Sequence, residues 1–111
     1  MFTTPKPVVY RRLGIDSAQL ASFCDRWKVA ELALFGSILR NDFDSESDID
    51  FLVTYRPDAQ RGLIEKMAMI EEMEALTNRK VDLVSKKAIE KSRNWIRQQG
   101  ILRSAEVIYV A

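Results

Sequence analysis

The apolar residues of this chain fall into two periods. Leu20, Phe23, Cys24 and Trp27 stand at i, i+3, i+4 and i+7, the spacing of one helix face, with Asp16 or Ser17 where an N-cap belongs. Val29 to Phe35 (VAELALF) is a short apolar run that ends at Gly36-Ser37, which predicts a strand entering a tight turn. A short helix over Ser37 to Asn41 and a polar, turn-rich stretch from Asn41 to Ser47 follow. Asp48 to Tyr55 (DIDFLVTY) reads as a second strand, and Pro57 to Gly62 as a loop. Leu63, Met67, Ile70, Met73 and Leu76 recur at spacings of three and four, predicting a helix of about four turns. Val81 to Val84 (VDLV), after the connector Asn78-Arg79-Lys80, is a third strand. Ser85 caps a basic helix over residues 86–99, with Ile89, Trp95 and Ile96 apolar and Gly100 as its stop. Glu106 to Val110 (EVIYV) is a last strand or a buried terminal segment. Residues 1–15, with Pro5, Pro7 and Gly14, read as an extended arm. The fold class is α/β or α+β: a small mixed sheet of three or four strands, with helices packed mainly on one face.

Composition narrows the chemistry. A chain of 111 residues makes one domain, 1–111. The 17 Lys and Arg balance 16 Asp and Glu to a net charge of +1, which argues against bulk electrostatic attraction to nucleic acid or membrane. There is no histidine, so Ser-His-Asp and Cys-His sites are excluded, as is any His-ligated metal. Acid–base work falls to carboxylates, Lys or Tyr. The single cysteine, Cys24, reads as a small buried hydrophobe and can form no internal disulfide. No run approaches the ~20 apolar residues of a membrane span. The expected compartment is the cytoplasm.

Five carboxylates crowd residues 40–50, against one cation, Arg40. Asp42, Asp44 and Glu46 read as a solvated loop. Asp48 and Asp50 differ, because their spacing of two puts both on one face of an otherwise apolar strand. Like charges there repel and resist desolvation, so a neutralising group is required. Hard oxygen donors select Mg²⁺, Mn²⁺ or Ca²⁺. Asp82 repeats the pattern on VDLV and would join the other two if its strand lies alongside; the competing reading is an ion pair with Arg79 or Lys80. Three converging carboxylates suit two-metal phosphoryl chemistry. Gly36-Ser37, between strand and short helix, offers backbone N–H groups and a hydroxyl to an anion.

The stretch LFGSILRNDFDSESDIDFLV resembles the Gly-Ser-x10-Asp-x-Asp signature of the DNA-polymerase-β-type nucleotidyltransferase superfamily, and the chain's length resembles the minimal nucleotidyltransferases. The resemblance runs from about Leu32 through VDLV, and ILRSAEVIYVA is similar to the family's terminal segment. It implies Mg²⁺-dependent transfer of a nucleoside monophosphate to a hydroxyl. Gly36 and Ser37 would hold the triphosphate. Asp48 and Asp50 would bind both metals, and Asp82 the catalytic one, while helping to deprotonate the acceptor. Arg40 matches the family's arginine, with a phosphate or structural role. Many relatives carry Gly where this chain has Asn41, a residue that tolerates left-handed backbone.

Proteins of this kind resemble the antitoxins of HEPN/MNT pairs. That implies AMP transfer from ATP to a tyrosine of a HEPN-family RNase toxin, which silences it. The chain shows no acceptor-binding domain, so the acceptor is expected to bring its own docking surface. Two alternatives are a binding-only antitoxin that occludes the toxin and a nucleotidyltransferase acting on a small molecule or RNA end. Residues 85–104 carry six cations (Lys86, Lys87, Lys91, Arg93, Arg97, Arg103) against Glu90, which leaves room for the latter. Trp95 is their one aromatic, too few for an RNA-stacking platform.

Overall fold

The structure is a computed structural model that describes residues 11–59 and 62–111. Most of the N-terminal arm reading, residues 1–10, lies outside them. Residues 11–13 are helical rather than extended, and Leu13 and Ile15 are buried in the core. Gly14 between them makes a turn at φ 77°, which lets both side chains reach the core.

Helix α1 spans Ser17–Arg26. Asp16 caps it by a capping box: its carboxylate accepts from the Gln19 N–H, and the Gln19 side chain accepts from the Asp16 N–H. Strand β1, Val29–Phe35, follows after Lys28 at φ 54°. A single 3₁₀ turn, Gly36–Leu39, leads into the polar loop and then β2, Ile49–Tyr55. Helix α2, Leu63–Thr77, ends at Asn78, whose left-handed backbone closes the last turn. Strand β3 is Val81–Ser85, helix α3 Lys86–Glu90, helix α4 Trp95–Ser104 and strand β4 Glu106–Val110.

The sheet order is β3-β2-β1-β4. β1 pairs antiparallel with both β2 and β4, and β2 pairs parallel with β3 across the α2 crossover. β1 is central and buried on both faces, which accounts for its nearly continuous apolar sequence. Its side chains sort by the period of two. Leu32 and Leu34 join Phe51, Val53, Ile108 and the buried residues of α1 and α2 in the larger cluster. Ala33 and Phe35 join Leu52, Ile89 and Ile101 in a smaller cluster on the opposite face. Cys24 lies in the larger cluster with no exposed surface, and burial pushes its thiol up to about 12.

Two helices depart from the sequence reading. Of the α2 stripe, Ile70, Met73 and Leu76 face the core, but Leu63 and Met67 are 75% and 54% exposed. The buried side chains of α2 are Met69, Met73 and Thr77. Thr77 satisfies its hydroxyl on the Met73 carbonyl at 2.8 Å. An ion pair from Arg26 to Glu72 and the Trp27 indole N–H on the same carboxylate, 3.3 Å, link α1 to α2. The basic helix over 86–99 is two helices, broken at residues 91–94, with Asn94 capping the second through the Arg97 N–H. Gly100 does not stop α4, which runs to Ser104 because Ile101 and Leu102 beyond it join the smaller cluster. That burial outweighs the ~1 kcal/mol that glycine costs inside a helix. Trp95 and Ile96, read as apolar face, are 66% and 73% exposed.

These burials predict unequal costs along one helix. Met73→Ala should destabilise by roughly 2–5 kcal/mol. Leu63→Ala should stay within about 0.5 kcal/mol. Urea unfolding followed by circular dichroism measures both; equal losses would mean that the stripe read from sequence is the buried one.

Candidate active site

Three strands meet at one end of the sheet to build the site. β1 ends at Phe35, which pairs with Asp50 at the head of β2. Asp50 pairs in turn with Asp82 on β3. Adjacent strands run ~4.8 Å apart, so the two carboxylates leave neighbouring positions on the same sheet face. Asp48 stands two residues before Asp50, at the lip of the strand. The condition set by the sequence, that VDLV lie beside DIDFLV, is met in register.

Gly36 follows Phe35 with φ at 80°, a conformation L side chains rarely adopt. The reason is spatial as well. A Cβ at this position would collide with Oδ2 of Asp50. Gly36 therefore lets the turn pass directly beside that carboxylate. The turn is anchored by Ile38, which is fully buried. The Ser37 hydroxyl lies 3.5 Å from the Asp48 carbonyl oxygen, a long contact that keeps the two segments adjacent. Asn41 is not among the described non-glycine residues with positive φ, which are Lys28 and Asn78, so the turn needs no left-handed residue there.

Charge in the site is unbalanced. Asp50 is half-buried, and its carboxyl is held above the usual Asp range, first by burial and then by Asp82 and Asp48; Arg40 opposes the shift. Asp48 and Asp82 are exposed. Among the described residues Asp82 forms no ion pair, with Arg79, Lys80 or any other cation. A set of hard carboxylate oxygens with no cation of its own has the donor chemistry of a divalent metal site. In this conformation, among the described residues, no three acidic side chains are drawn around one cation position.

The rest of the acidic stretch does other work. Arg40 is exposed and donates to Asp42 at 3.1 Å. Asp44 shapes the loop by accepting from the Glu46 N–H at 2.9 Å and the Ser47 hydroxyl at 3.2 Å. A cavity of about 620 Å³ lies at the other end of β2, lined by Glu31, Thr54, Lys86 and Glu90 among others, away from the acids.

Sequence reasoning missed Arg12 and Phe43, and weighed Arg79 only as an ion-pair partner of Asp82. Arg12 donates to the carbonyls of Ile38 and Arg40 at 2.8 and 2.7 Å. Arg79 donates to those of Asp44 and Ser47 at 2.8 and 2.9 Å. Both guanidinium groups lie over the Phe43 ring. The bonds join residues 26 to 35 positions apart, so no local spacing announces them.

This arrangement has known counterparts. Residues 17–107 match the nucleotidyltransferase domain family. The chain is 40% identical over 65 residues to a candidate protein adenylyltransferase of Methanocaldococcus jannaschii, a stretch covering 59% of this chain and 65% of that protein. It is 32% identical over 99 residues to the protein adenylyltransferase MntA of Thermococcus cleftensis, covering 87% of this chain and 90% of that one. In fold it resembles the solved structure of a candidate minimal nucleotidyltransferase, with TM-score 0.62 and 26% identity over 80% of this chain and 85% of the other. A toxin–antitoxin structure with AMP-PNP gives TM-score 0.66 at 16% identity, over 87% and 75% of the two chains. A complex of tri-AMPylated Shewanella oneidensis HEPN toxin with MNT antitoxin gives 0.57 at 16%, over 85% and 69%; at that identity the last two bear on the fold alone. With Gly-Ser, Asp-x-Asp and the later strand aspartate assembled at one sheet end, the chain belongs to the nucleotidyltransferase domain family and is an enzyme homologous to the protein adenylyltransferase MntA.

Proposed function

We propose that this protein, acting as one nucleotidyltransferase domain, is an Mg²⁺-dependent antitoxin. It transfers AMP from ATP to a tyrosine hydroxyl of a HEPN-family RNase toxin and so neutralises it. The observation that carries the reading is the pairing of Asp50 with Asp82 beside Gly36, in a homologue of a protein adenylyltransferase. The homologue MntA is a protein adenylyltransferase, and the same fold occurs in a toxin–antitoxin with AMP-PNP and in a complex of an AMPylated HEPN toxin with its MNT antitoxin.

Each residue has a role in that reading. Gly36 brings its backbone close to the triphosphate, and Ser37 adds a hydroxyl donor; both orient the α-phosphorus for in-line attack. Arg40 stands near enough to Asp50 to favour its ionised form, and it supplies positive charge beside the phosphates. Asp48, Asp50 and Asp82 are the residues that would hold Mg²⁺, two ions in all. When bound, the metal polarises the phosphoryl oxygens and makes the acceptor hydroxyl easier to ionise. Asp82, at the exposed edge of the trio, takes up the proton from the incoming hydroxyl. The products are AMP-protein and diphosphate.

The unneutralised trio makes stability depend on Asp50. Its carboxyl binds a proton more tightly in the folded than in the unfolded chain. Metal-free stability should therefore fall as pH rises from the ordinary Asp range through the raised one. Asp50→Asn should melt higher than wild type at neutral pH without metal, and the gap should close on acidification below the ordinary Asp range. The same variant should abolish AMP transfer. Wild-type transfer by Asp50→Asn with Mg²⁺ would remove Asp50 from the site.

Gly36→Val adds a branched side chain where even one carbon collides with Asp50, at a φ that valine resists. ATP binding, measured by calorimetry with Mg²⁺, should be lost. An unchanged affinity would put the phosphates elsewhere.

Enzyme and occluder separate by mass. The purified RNase partner is incubated with this protein, ATP and Mg²⁺, and this protein is then removed. The expected partner is heavier by whole AMP units and still inactive. An unchanged mass with restored RNase activity would establish occlusion instead.

A further inference from the structure

The segment of residues 40–48 joins the phosphate-side turn to the acid-bearing strand, and it has no helix or strand of its own. Beyond the Ser47 N–H, which donates to the Asp44 carbonyl at 3.2 Å, its carbonyl groups draw on donors from outside the segment. Arg12 and Arg79 supply them, each through one Nη1. Arg12 ties Ile38 to Arg40, the end of the 3₁₀ turn. Arg79 ties Asp44 to Ser47, the approach to Asp48. Phe43, midway along the segment, receives both guanidinium groups over its ring, at 5.5 Å for Arg12 and 4.3 Å for Arg79. The ring itself packs against the larger core cluster. One aromatic side chain thus links both cations to the body of the protein.

The two arginines come from different directions. Arg12 precedes α1, whereas Arg79 follows the left-handed Asn78 that ends α2 and lies three residues before Asp82. The next residue, Lys80, accepts from the Ile49 N–H at 2.9 Å. Through Arg79 the approach to Asp48 is fixed to the approach to Asp82. Through Arg12 the turn that carries Gly36 and Ser37 is fixed to the same ring.

We propose that Arg12, Phe43 and Arg79 form a clamp of positioning residues, in which Arg79 sets the spacing of the metal-binding carboxylates and Arg12 sets the triphosphate-binding turn. The clamp rests on the functional reading above for what it positions, but not for its own existence. Lysine preserves the charge of either arginine and loses the planar fork and its stacking, so Arg→Lys isolates the geometry.

The test combines hydrogen exchange, metal binding and kinetics on the full chain. Arg79→Lys should speed amide exchange at residues 44–48 by about tenfold, leaving β1 and α1 unchanged. It should weaken Mn²⁺ binding, measured with a non-hydrolysable ATP analogue present, by about tenfold. It should lower kcat for AMP transfer with little change in KM for ATP. Arg12→Lys should instead raise the KM for ATP, leave kcat near wild type and speed exchange at residues 38–41. Phe43→Leu keeps an apolar core contact, removes the ring and should loosen both stretches at once. Unchanged exchange over residues 38–48 in both lysine variants would overturn the clamp. So would faster exchange with wild-type Mn²⁺ affinity, KM and kcat, or equal losses of KM and kcat in both variants. If a lysine variant fails to fold, a folded Phe43→Leu protein with wild-type exchange and Mn²⁺ affinity would also overturn it. A wild-type protein that transfers no nucleotide would sink the functional reading, while exchange and Mn²⁺ affinity would still decide the clamp.

Discussion

Asp50 and Asp82 face each other across a parallel ladder, and the fold is arranged to hold that repulsive pair side by side. Two unit charges ~5 Å apart repel by about 1 kcal/mol in water, and by several times more where protein lowers the dielectric. Asp82 is exposed, whereas Asp50 is half-buried, so desolvation adds to the repulsion at Asp50. Against this stand Phe51, Leu52 and Val53, all buried directly after Asp50. Each contributes roughly 1.5–3 kcal/mol on burial. The strand that carries the acid is therefore the strand least free to move away from it. Covering β1 and β2 on both faces fixes Asp50, while β3, at the sheet edge, is held by its ladder with β2 and by buried Leu83.

The parts of this picture written locally were legible in the sequence. The short apolar runs in VAELALF and DIDFLVTY marked the strands, and the spacing of two between Asp48 and Asp50 put both on one face. The N-cap, read as Asp16 or Ser17 and found at Asp16, and the turn at Gly36 are also short-range features. Asp82 stood out because an ionised residue between Val81 and Leu83 has no packing reason to be there.

What was not legible depended on distant partners. Leu63 and Met67 fit the periodicity of α2 as well as Met69 does, but it is Met69 and Met73 that the larger cluster buries, a choice made by tertiary packing and not by spacing. Gly100 signals a helix end, and Ile101 overrides it by reaching Ala33, Phe35 and Leu52 on the sheet. Arg79 was weighed as an ion-pair partner for Asp82, its near neighbour in sequence. It turns instead to backbone oxygens more than 30 residues away. An arginine bound to carbonyl groups leaves no complementary charge in the sequence to find.

The burial of Cys24 makes the chain its own reporter of opening. The thiol is the only one in the protein, it has no exposed surface, and burial holds its proton far above neutral pH. Both obstacles vanish when α1 leaves the sheet, because a solvated thiol returns to a pKa near 8.5. A disulfide reagent in solution therefore modifies only molecules whose larger core has come apart. The rate of that modification, read with and without nucleotide or partner, counts excursions from the native state without any engineered probe. Each ligand that prefers the folded form slows it in proportion to its own occupancy.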